Sequence, residues 1–399
     1  MARIGIIYEL NQILITTSLP CNSSAEALDK RLFANNKENP LIHNSISRWT
    51  IVTPVLAWAA IAASSAAGGH AFYLMLLAVL LAGTVFAAVH HAEVVAHKVG
   101  EPFGTLILAL AVTVIEVALI ISFMLGGGEE KLALARDTIF SAIMITCNGI
   151  LGICLLLGGL RHREQNFQLS GAKAALTVLA AISVLALVLP NYGTSQPGPL
   201  LSSSQLAFTG VVSLVLYGAF VFVQTIRHRD YFLVEGSHDE DEHAPPPSNK
   251  VAMLAVAMLL ICLVAVVTLA KLLSPSIESF VVDAGAPAAV VGIIIAALVL
   301  LPEGLAAANA ARADRVQTSL NLALGSALAS IGLTIPTVAM IFVFMGEPLI
   351  LGLEIKETIF LLLTLVACSL SLSVGRTTIL QGIVHLVIFA SFVFFAISP

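Results

Sequence analysis

The fold is decided by the stretch Gly104-Thr-Leu-Ile-Leu-Ala-Leu-Ala-Val-Thr-Val-Ile-Glu116-Val-Ala-Leu-Ile-Ile-Ser-Phe-Met124. Its length and apolar character predict a membrane-spanning helix, because roughly 20 such residues cross the hydrocarbon core of a bilayer. A carboxylate, Glu116, lies about halfway along it. Insertion scales assign a cost of about 2.5–3.5 kcal/mol to an ionised side chain at that depth. We therefore expect Glu116 to face the protein interior and to bind something there.

The composition indicates a polytopic helical membrane protein. Of the 399 residues, 58% are hydrophobic and 11% are charged, whereas about 25% are charged in soluble proteins. The apolar runs are continuous, which excludes a transmembrane barrel, because barrel strands alternate at every second residue. The five cysteines are scattered, with no Cys-x-x-Cys pair, and are interpreted as small apolar residues.

Eleven hydrophobic spans are predicted from Trp49 onward. They cover about 49–67, 71–96, 103–125, 136–160, 171–190, 205–227, 250–273, 286–310, 316–345, 357–374 and 377–397. Residues 1–45 contain no spanning run and are predicted to be a poorly ordered cytoplasmic tail. Residues 228–249 form an acidic linker with a proline stop, predicted to be a solvated cytoplasmic spacer. A metal- or pH-sensing role of this linker stays open.

The distribution of positive charge predicts the orientation. If the N-terminus is cytoplasmic, fifteen of the nineteen lysines and arginines lie on the cytoplasmic side. Lysine and arginine are enriched on the cytoplasmic side of membrane proteins. The C-terminus is then predicted to lie on the opposite side.

An internal duplication follows from two matching series of residues. The segments 93–102 and 278–287 both begin with Glu and carry Gly and Pro at the same offsets of seven and nine residues. Each proline opens a span that carries one carboxylate, Glu116 in the first half and Glu303 in the second. Each following span has a serine and, seven residues later, a second polar residue on the same helical face. These pairs are Ser141 with Asn148 and Ser319 with Ser326.

The duplication predicts two inverted five-helix repeats. The first helix, 49–67, is extra, and the repeats cover 71–227 and 250–399. Five crossings is an odd number, so the second repeat enters the membrane from the opposite side. Inverted repeats are typical of secondary transporters, which bind their substrates near the midplane between the repeats. The pseudo-two-fold axis should bring Glu116 and Glu303 together.

Two carboxylates near the bilayer centre predict a cation and proton site. They cannot both remain ionised and unpaired, so they hold either protons or a cation. Oxygen ligands suit Ca2+, which takes about 6–8 of them, and Na+ needs fewer. Glu116 and Glu303 are the predicted cation- and proton-binding residues, with Asn148 as a further metal ligand. The residues predicted to line the site are Thr113, Ser141, Asn148, Pro302, Ser319, Asn321, Ser326 and Ser330. Glu93 and Glu278 are predicted to serve a proton path.

At these residues the chain resembles the Ca2+:cation antiporter superfamily, within it the ChaA-type calcium/sodium:proton antiporters of the cation/proton exchanger branch. The resemblance rests on Gly100-Glu-Pro-Phe-Gly-Thr105, Ala-Val-Thr113-Val-Ile-Glu116-Val, Leu-Pro302-Glu303-Gly and Ser319-Leu-Asn-Leu-Ala-Leu-Gly325-Ser326-Ala. It covers roughly 50–399. It implies an eleven-helix fold, an acidic loop between the halves, and two glutamates that alternate between cation and protons. Many relatives carry Gly-Asn-Ala-x-Glu around both acids. This chain does not, which leaves K+ or Na+ exchange open.

The resulting prediction is a secondary antiporter of a bacterial inner membrane that exchanges Ca2+ and/or Na+ for protons. A K+(Na+)/H+ antiporter without calcium transport and a passive cation channel are the alternatives. His90-His-Ala-Glu93 is not the metal-binding His-Glu-x-x-His, and the sequence has no Gly-x-Ser-x-Gly elbow, so we expect no enzyme. The expected partners are the bilayer, cations and protons, with no cofactor and no nucleic acid. A homo-oligomer stays open.

Overall fold

A computed structural model describes residues 47–67, 70–100, 103–124, 132–196, 198–233, 246–287, 289–346 and 349–398. The predicted N-terminal tail and the acidic run at 235–243 lie outside these ranges. The residues described from 47 onward belong to one compact unit.

Eleven long helices make up the described part of the chain, as the apolar runs predict. They are α1 Arg48–Ala67, α2 Ala71–Val99, α3 Phe103–Met124, α4 Leu134–His162, α5 Leu169–Tyr192, α6 Ser203–Arg227, α7 Asn249–Asp283, α8 Ala289–Arg312, α9 Val316–Met345, α10 Ile355–Ser371 and α11 Ile379–Ile397. Within these ranges, all but α1 and α10 meet the length and hydropathy expected of a membrane crossing. A two-stranded antiparallel sheet joins β1 (Glu164–Asn166) to β2 (Arg376–Thr378).

The seventh helix is longer than its predicted span of 250–273. It continues through Pro275 to Asp283, so Glu278 lies inside a helix. Proline removes one backbone donor from a helix but does not always end it. The apolar run therefore stops about three turns before the helix does.

The glycine of the repeated Gly-x-Pro motif is required by its backbone conformation. Gly100 and Gly285 both follow a helix and both have positive φ, 77° and 69°. A residue with a side chain adopts this conformation at a cost, whereas glycine does not. The amide of Gly100 donates to the carbonyl of Ala96, and that of Gly285 donates to Val282. A glycine with positive φ thus follows a helix once in each half, although its amide bonds four residues back at Gly100 and three residues back at Gly285.

Helix packing follows the predicted pseudo-two-fold symmetry. The first helices of the two repeats, α2 and α7, pack together, and so do the crosswise pairs α6 with α9 and α11 with α4. Glycines permit these close approaches, as is typical of membrane helices. A Cβ on Gly332 of α9 would lie 2.6 Å from the Cβ of Tyr217 of α6, and one on Gly382 of α11 would lie 2.5 Å from the amide of Leu156 of α4.

The two ends of the bundle differ in their polar contacts. We call the end that carries β1 and β2 the sheet end. There Gln165 donates to Asp314 at 2.8 Å, which links the first repeat to the second. We call the other end the far end. There the guanidinium of Arg136 donates to the carbonyl of Gly352 at 3.1 Å.

Candidate cation-binding site

Glu116 lies in the middle of α3 and is 2% exposed. Its Oε2 accepts a hydrogen bond of 2.7 Å from the hydroxyl of Ser330, which lies on α9 of the other repeat. Its Oε1 is buried and has no hydrogen-bond partner among the described residues. Each buried carboxylate oxygen without a donor is costly unless a proton or a cation satisfies it. The site can therefore bind either a proton or a cation at Oε1 of Glu116.

Glu303 occupies the matching place on α8. Its Oε2 is likewise buried without a partner in the described part of the chain. The carboxylates of Glu116 and Glu93 are close enough to interact electrostatically with it. The structure thus brings together the two glutamates that the repeat predicts as a pair.

Both glutamates line one cavity of about 150 Å³. Its walls come from α3, α6, α8 and α9, so both repeats are needed to form it. The polar residues among its lining are Thr113, Glu116, Tyr217, Gln224, Glu303, Ser326 and Ser330. The other lining residues are apolar or glycine, which excludes most water while leaving a few oxygen ligands in place.

The cavity lies in the half of the bundle toward the sheet end. Its deep part is formed by buried residues such as Glu116 and Ser330, whereas Gln224 and Leu322 nearer the helix ends are half-buried. The site is therefore approached from the sheet end in this conformation.

The hydrogen bonding of helix α8 is interrupted next to Glu303 by a proline. Pro302 directly precedes Glu303 inside this helix. Because proline has no N–H, the carbonyl four residues earlier, that of Leu298, lacks its usual helical donor. This carbonyl lies one turn from Glu303.

Of the eight predicted lining residues, the cavity includes Thr113, Ser326 and Ser330. Pro302 precedes the lining residue Glu303 but does not itself line the cavity, and four others lie elsewhere. Asn148 is fully buried, but its Nδ2 donates to Thr364 at 2.8 Å and its Oδ1 faces Nδ1 of His385 at 3.0 Å. Asn148 is therefore not among the residues that line this cavity, and its role as a metal ligand remains a prediction. The seven-residue spacing correctly predicts that Ser141 and Asn148 lie on one face of α4. This face of α4 contacts α10 and α11 rather than the cavity that the two glutamates line.

The other three predicted lining residues have structural partners or a different location. Ser319 donates to the carbonyl of Ala307 at 2.7 Å. Asn321 donates to the carbonyl of Phe232 at 2.6 Å near the sheet end. Ser141 lines a separate cavity in the far half of the bundle.

Sequence reasoning missed three polar residues near the glutamates. Tyr217 and Gln224 lie seven residues apart on α6, and both line the cavity. Thr334 lies one turn beyond Ser330 on α9, close enough to act on Glu116. It is fully buried, and its hydroxyl is near the Glu116 carboxylate but outside hydrogen-bond distance of it. The helical spacing from Ser330 and the polarity of Gln224 in an apolar span were the available signals.

The two predicted proton-path residues lie at opposite ends of the molecule. Glu93 is near the sheet end of α2, 3.9 Å from Nδ1 of His90 and close to Glu303. Glu278 is near the far end of α7 and accepts a hydrogen bond of 2.8 Å from Ser274. In this conformation only Glu93 is near the cavity, so their roles remain a prediction.

The hydroxyl of Ser330 should matter for cation affinity. Ser330→Ala removes the donor to Glu116, and hydrogen bonds to charged groups contribute about 1.5–3 kcal/mol. We expect the KM for the cation to rise about tenfold or more, as measured by cation-dependent proton flux in vesicles. Ser330→Thr should retain most of the affinity.

Thr337→Val is the matched control for this substitution. Its hydroxyl is also on α9 but donates to the carbonyl of Leu333 at 2.8 Å, away from the cavity. An equal rise in KM for both variants would contradict a specific role of Ser330.

Comparison with known proteins places these features among ion exchangers. The family model described as sodium/calcium exchanger protein matches residues 69–226 and 254–398, one match in each half. The protein y4hA of Sinorhizobium fredii (strain NBRC 101917 / NGR234), named as an ionic transporter, is 51% identical over 329 residues, which cover 82% of this chain and 89% of that protein. The sodium-potassium/proton antiporter ChaA of Escherichia coli (strain K12) is 38% identical over 312 residues, which cover 77% of this chain and 84% of that protein.

Solved structures agree on the fold. The structure of native YfkE has a TM-score of 0.68 at 16% identity and covers 88% of this chain and 100% of its own. The H+/Ca2+ exchanger CAX has a TM-score of 0.65 at 15% identity and covers 88% of this chain and 89% of its own. The predicted fold of eleven helices, with an extra first helix and two inverted five-helix repeats, is confirmed.

Proposed function

This chain belongs to the sodium/calcium exchanger family, whose model matches both of its halves, and we propose that it exchanges Ca2+ and/or Na+ for protons by alternating access. The resemblance predicted from its residues is confirmed at the level of the family. Its relatives are transporters, and the 38% identical one is named as an antiporter.

One observation carries the proposal. Glu116 Oε1 and Glu303 Oε2, from opposite repeats, are both buried without a partner in the described residues, and both glutamates line one cavity. Protons on both carboxyls or a cation between them would satisfy these oxygens. The two occupants exclude each other, because a cation needs ionised carboxylates. Exchange follows when the site faces the two sides of the membrane in turn.

The transported cation distinguishes two candidate functions, a Ca2+/H+ exchanger and a Na+ or K+/H+ exchanger. Ca2+ takes about 6–8 oxygen ligands, and the cavity offers two carboxylates, a few hydroxyls and the Gln224 amide. With Asn148 held by Thr364 and His385, a Na+ or K+ exchanger without calcium transport is the second candidate. The 38% identical relative is named for sodium, potassium and protons.

The orientation is part of the proposal. The sheet end carries Arg161, Arg227 and Arg312 at helix ends, whereas the far end carries Arg136 and Lys356. By the enrichment of positive charge on the cytoplasmic side, the sheet end faces the cytoplasm of a bacterial inner membrane. The cavity in this conformation then faces the cytoplasm.

Proton release from everted vesicles tests the function. Vesicles that contain the protein are energised to a stable pH gradient, and Ca2+, Na+ or K+ is added separately. We expect at least one of these cations to collapse the gradient, because cation entry drives proton exit. If two carboxyls exchange two protons for one Ca2+, the exchange carries no net charge and no current.

Vesicles without the protein are the control for leakage. No collapse with any of the three cations would overturn the proposal. Passage of labelled cation without any pH change would instead support a passive channel.

A further inference from the structure

Helix α6 forms one wall of the cavity that Glu116 and Glu303 line, which we call the glutamate cavity. The residues of α6 that line it are Tyr217, Phe220, Val221 and Gln224. Their spacing of three and four residues places them on one face of the helix. Tyr217 is 5% exposed and Gln224 is half-buried. The face therefore runs from the deep part of the cavity toward the sheet end, with a phenol at one end and an amide at the other.

The two polar side chains of this wall are available to a ligand. Within the part of the chain that the structure describes, neither the hydroxyl of Tyr217 nor the side-chain amide of Gln224 has a hydrogen-bond partner. By contrast, the hydroxyl of Thr113 on α3 donates to the carbonyl of Ala109 at 2.9 Å. A buried tyrosine hydroxyl usually has a partner. Both groups can therefore contact water or a cation in the cavity.

The backbone of α6 is distorted at Gln224. The last turn of the helix, Val223–Arg227, is π-helical. The amide of His228 donates to the carbonyl of Val223, five residues back, at 2.8 Å. Such turns are rare and occur frequently at functional sites. Here the turn carries the amide that lines the cavity nearest the sheet end.

Packing on α9 and on the segment after α6 fixes this wall. A Cβ on Gly332 of α9 would lie 2.6 Å from the Cβ of Tyr217, so the absence of a side chain there lets α6 approach closely. Nearer the sheet end, the ring of Phe220 packs edge-on against that of Phe232, with 5.8 Å between the ring centroids. Asn321 of α9 donates to the carbonyl of Phe232. These contacts hold the backbone that carries the phenol and the amide.

The internal repeat does not reproduce the polar residues of this wall. Helix α11 is the counterpart of α6, and both begin with a capping box, whose first residues are Ser202 and Thr378. Counted from these caps, the position of Tyr217 is Val393 in α11. Helix α11 ends before it reaches the position of Gln224. Each repeat thus supplies one glutamate, but only the first supplies a phenol and an amide.

A neutral phenol and amide suit a cation that is losing its hydration water. Their oxygens can replace water around the ion, and the face of an aromatic ring also attracts cations. Because Gln224 lies nearer the sheet end than the glutamates, a cation that enters from that end meets the amide first. A cation that enters from the far end meets no equivalent group on α11.

We propose that Tyr217 and Gln224 form an outer cation position on the sheet-end side of the glutamate pair, and that this position gives the exchanger a higher cation affinity at the sheet end than at the far end. The inference rests on the proposed exchange function. A cation in the outer position keeps part of its hydration water. It moves on to Glu116 and Glu303 when their protons leave.

Cation affinity measured separately from each side of the membrane tests the outer position. Everted and right-side-out vesicles each present one end of the protein to the added cation, and KM for Na+ and for Ca2+ is measured from proton flux. Ile355→Cys, at a position 82% exposed at the far end, identifies the vesicles that present that end by its reaction with a membrane-impermeant maleimide. The parent protein measures the background of the native cysteines.

We expect Gln224→Leu and Tyr217→Phe each to raise KM at the sheet end by about fivefold or more and to leave KM at the far end unchanged. Both substitutions nearly preserve the size of the side chain. Gln224→Glu should have the opposite effect and lower KM at the sheet end, for Ca2+ more than for Na+, because a carboxylate attracts the divalent ion more strongly. A folding defect cannot produce this lower KM.

Thr225→Val is the matched control. Thr225 lies on the same π-helical turn, but its hydroxyl donates to the carbonyl of Val221 at 2.7 Å, and it is not among the residues that line the cavity. This variant should keep the wild-type KM at both ends.

An equal rise of KM at both ends, or an unchanged KM at the sheet end in Gln224→Leu and Tyr217→Phe, would overturn the outer position and leave the exchange function standing. Equilibrium binding of labelled Na+ to the purified protein is measured in parallel. Weaker binding in Gln224→Leu, by a protein that exchanges no protons, would support the outer position and contradict the proposed function. The two proposals therefore fail separately.

Discussion

Replacing either Glu116 or Glu303 by glutamine is expected to abolish coupled exchange. Glutamine keeps the shape of the side chain, and at position 116 it can still accept the hydrogen bond from Ser330, but it cannot ionise. The cation then meets one carboxylate instead of two, and removing one partner of a buried charge pair costs about 3–5 kcal/mol. We expect cation-driven proton flux to fall by about 100-fold or more, measured with a pH-sensitive dye in everted vesicles.

Glu164→Gln is the matched control for this result. Its carboxylate is exposed on β1 and lies 4.0 Å from Arg376, and exposed ion pairs of this kind contribute little. The control should exchange at the wild-type rate. Coupled exchange that persists in both Glu116→Gln and Glu303→Gln would remove the glutamate pair from the mechanism. A change of ion selectivity with uncoupled flux would favour the channel.

The helices could be predicted from the sequence because the bilayer imposes their length. Continuous apolar runs located all eleven, most within a few residues at each end. The end of α7 was wrong by about ten residues, because Ser274 and Pro275 end the apolar run while the helix continues to Asp283. Hydropathy identifies where the hydrocarbon ends, whereas backbone hydrogen bonds determine where the helix ends.

The glutamate pair could be predicted because an ionisable residue inside a membrane span is costly and usually has a functional role. Serine, threonine and asparagine in a span often serve helix packing instead. Ser319 is satisfied by the carbonyl of Ala307, and Asn148 by Thr364 and His385, so a polar residue in a span need not bind substrate. Spacing along a helix fixes which residues share a face. It does not fix which neighbour that face contacts, so the spacing from Ser141 could not reveal that Asn148 contacts Thr364 and His385.

Filling the glutamate cavity should block exchange without removing any ligand. Gly325 of α9 lines the cavity, and a Cβ placed on it would meet no atom within 4 Å. In Gly325→Leu the new side chain therefore enters a space of about 150 Å³. It displaces the cation and its remaining water, so proton flux should fall to the background of empty vesicles. Gly325→Ala should give an intermediate rate.

Gly218→Leu separates blocking from any general effect of leucine. Gly218 also has no atom within 4 Å of an added Cβ, but it is exposed on the outer face of α6. Leucine favours a helix over glycine by up to about 1 kcal/mol, so neither variant should lower the thermal unfolding temperature in detergent. Gly218→Leu should exchange at the wild-type rate. Wild-type exchange in Gly325→Leu would mean that the cation does not pass through this cavity, even though both glutamates line it.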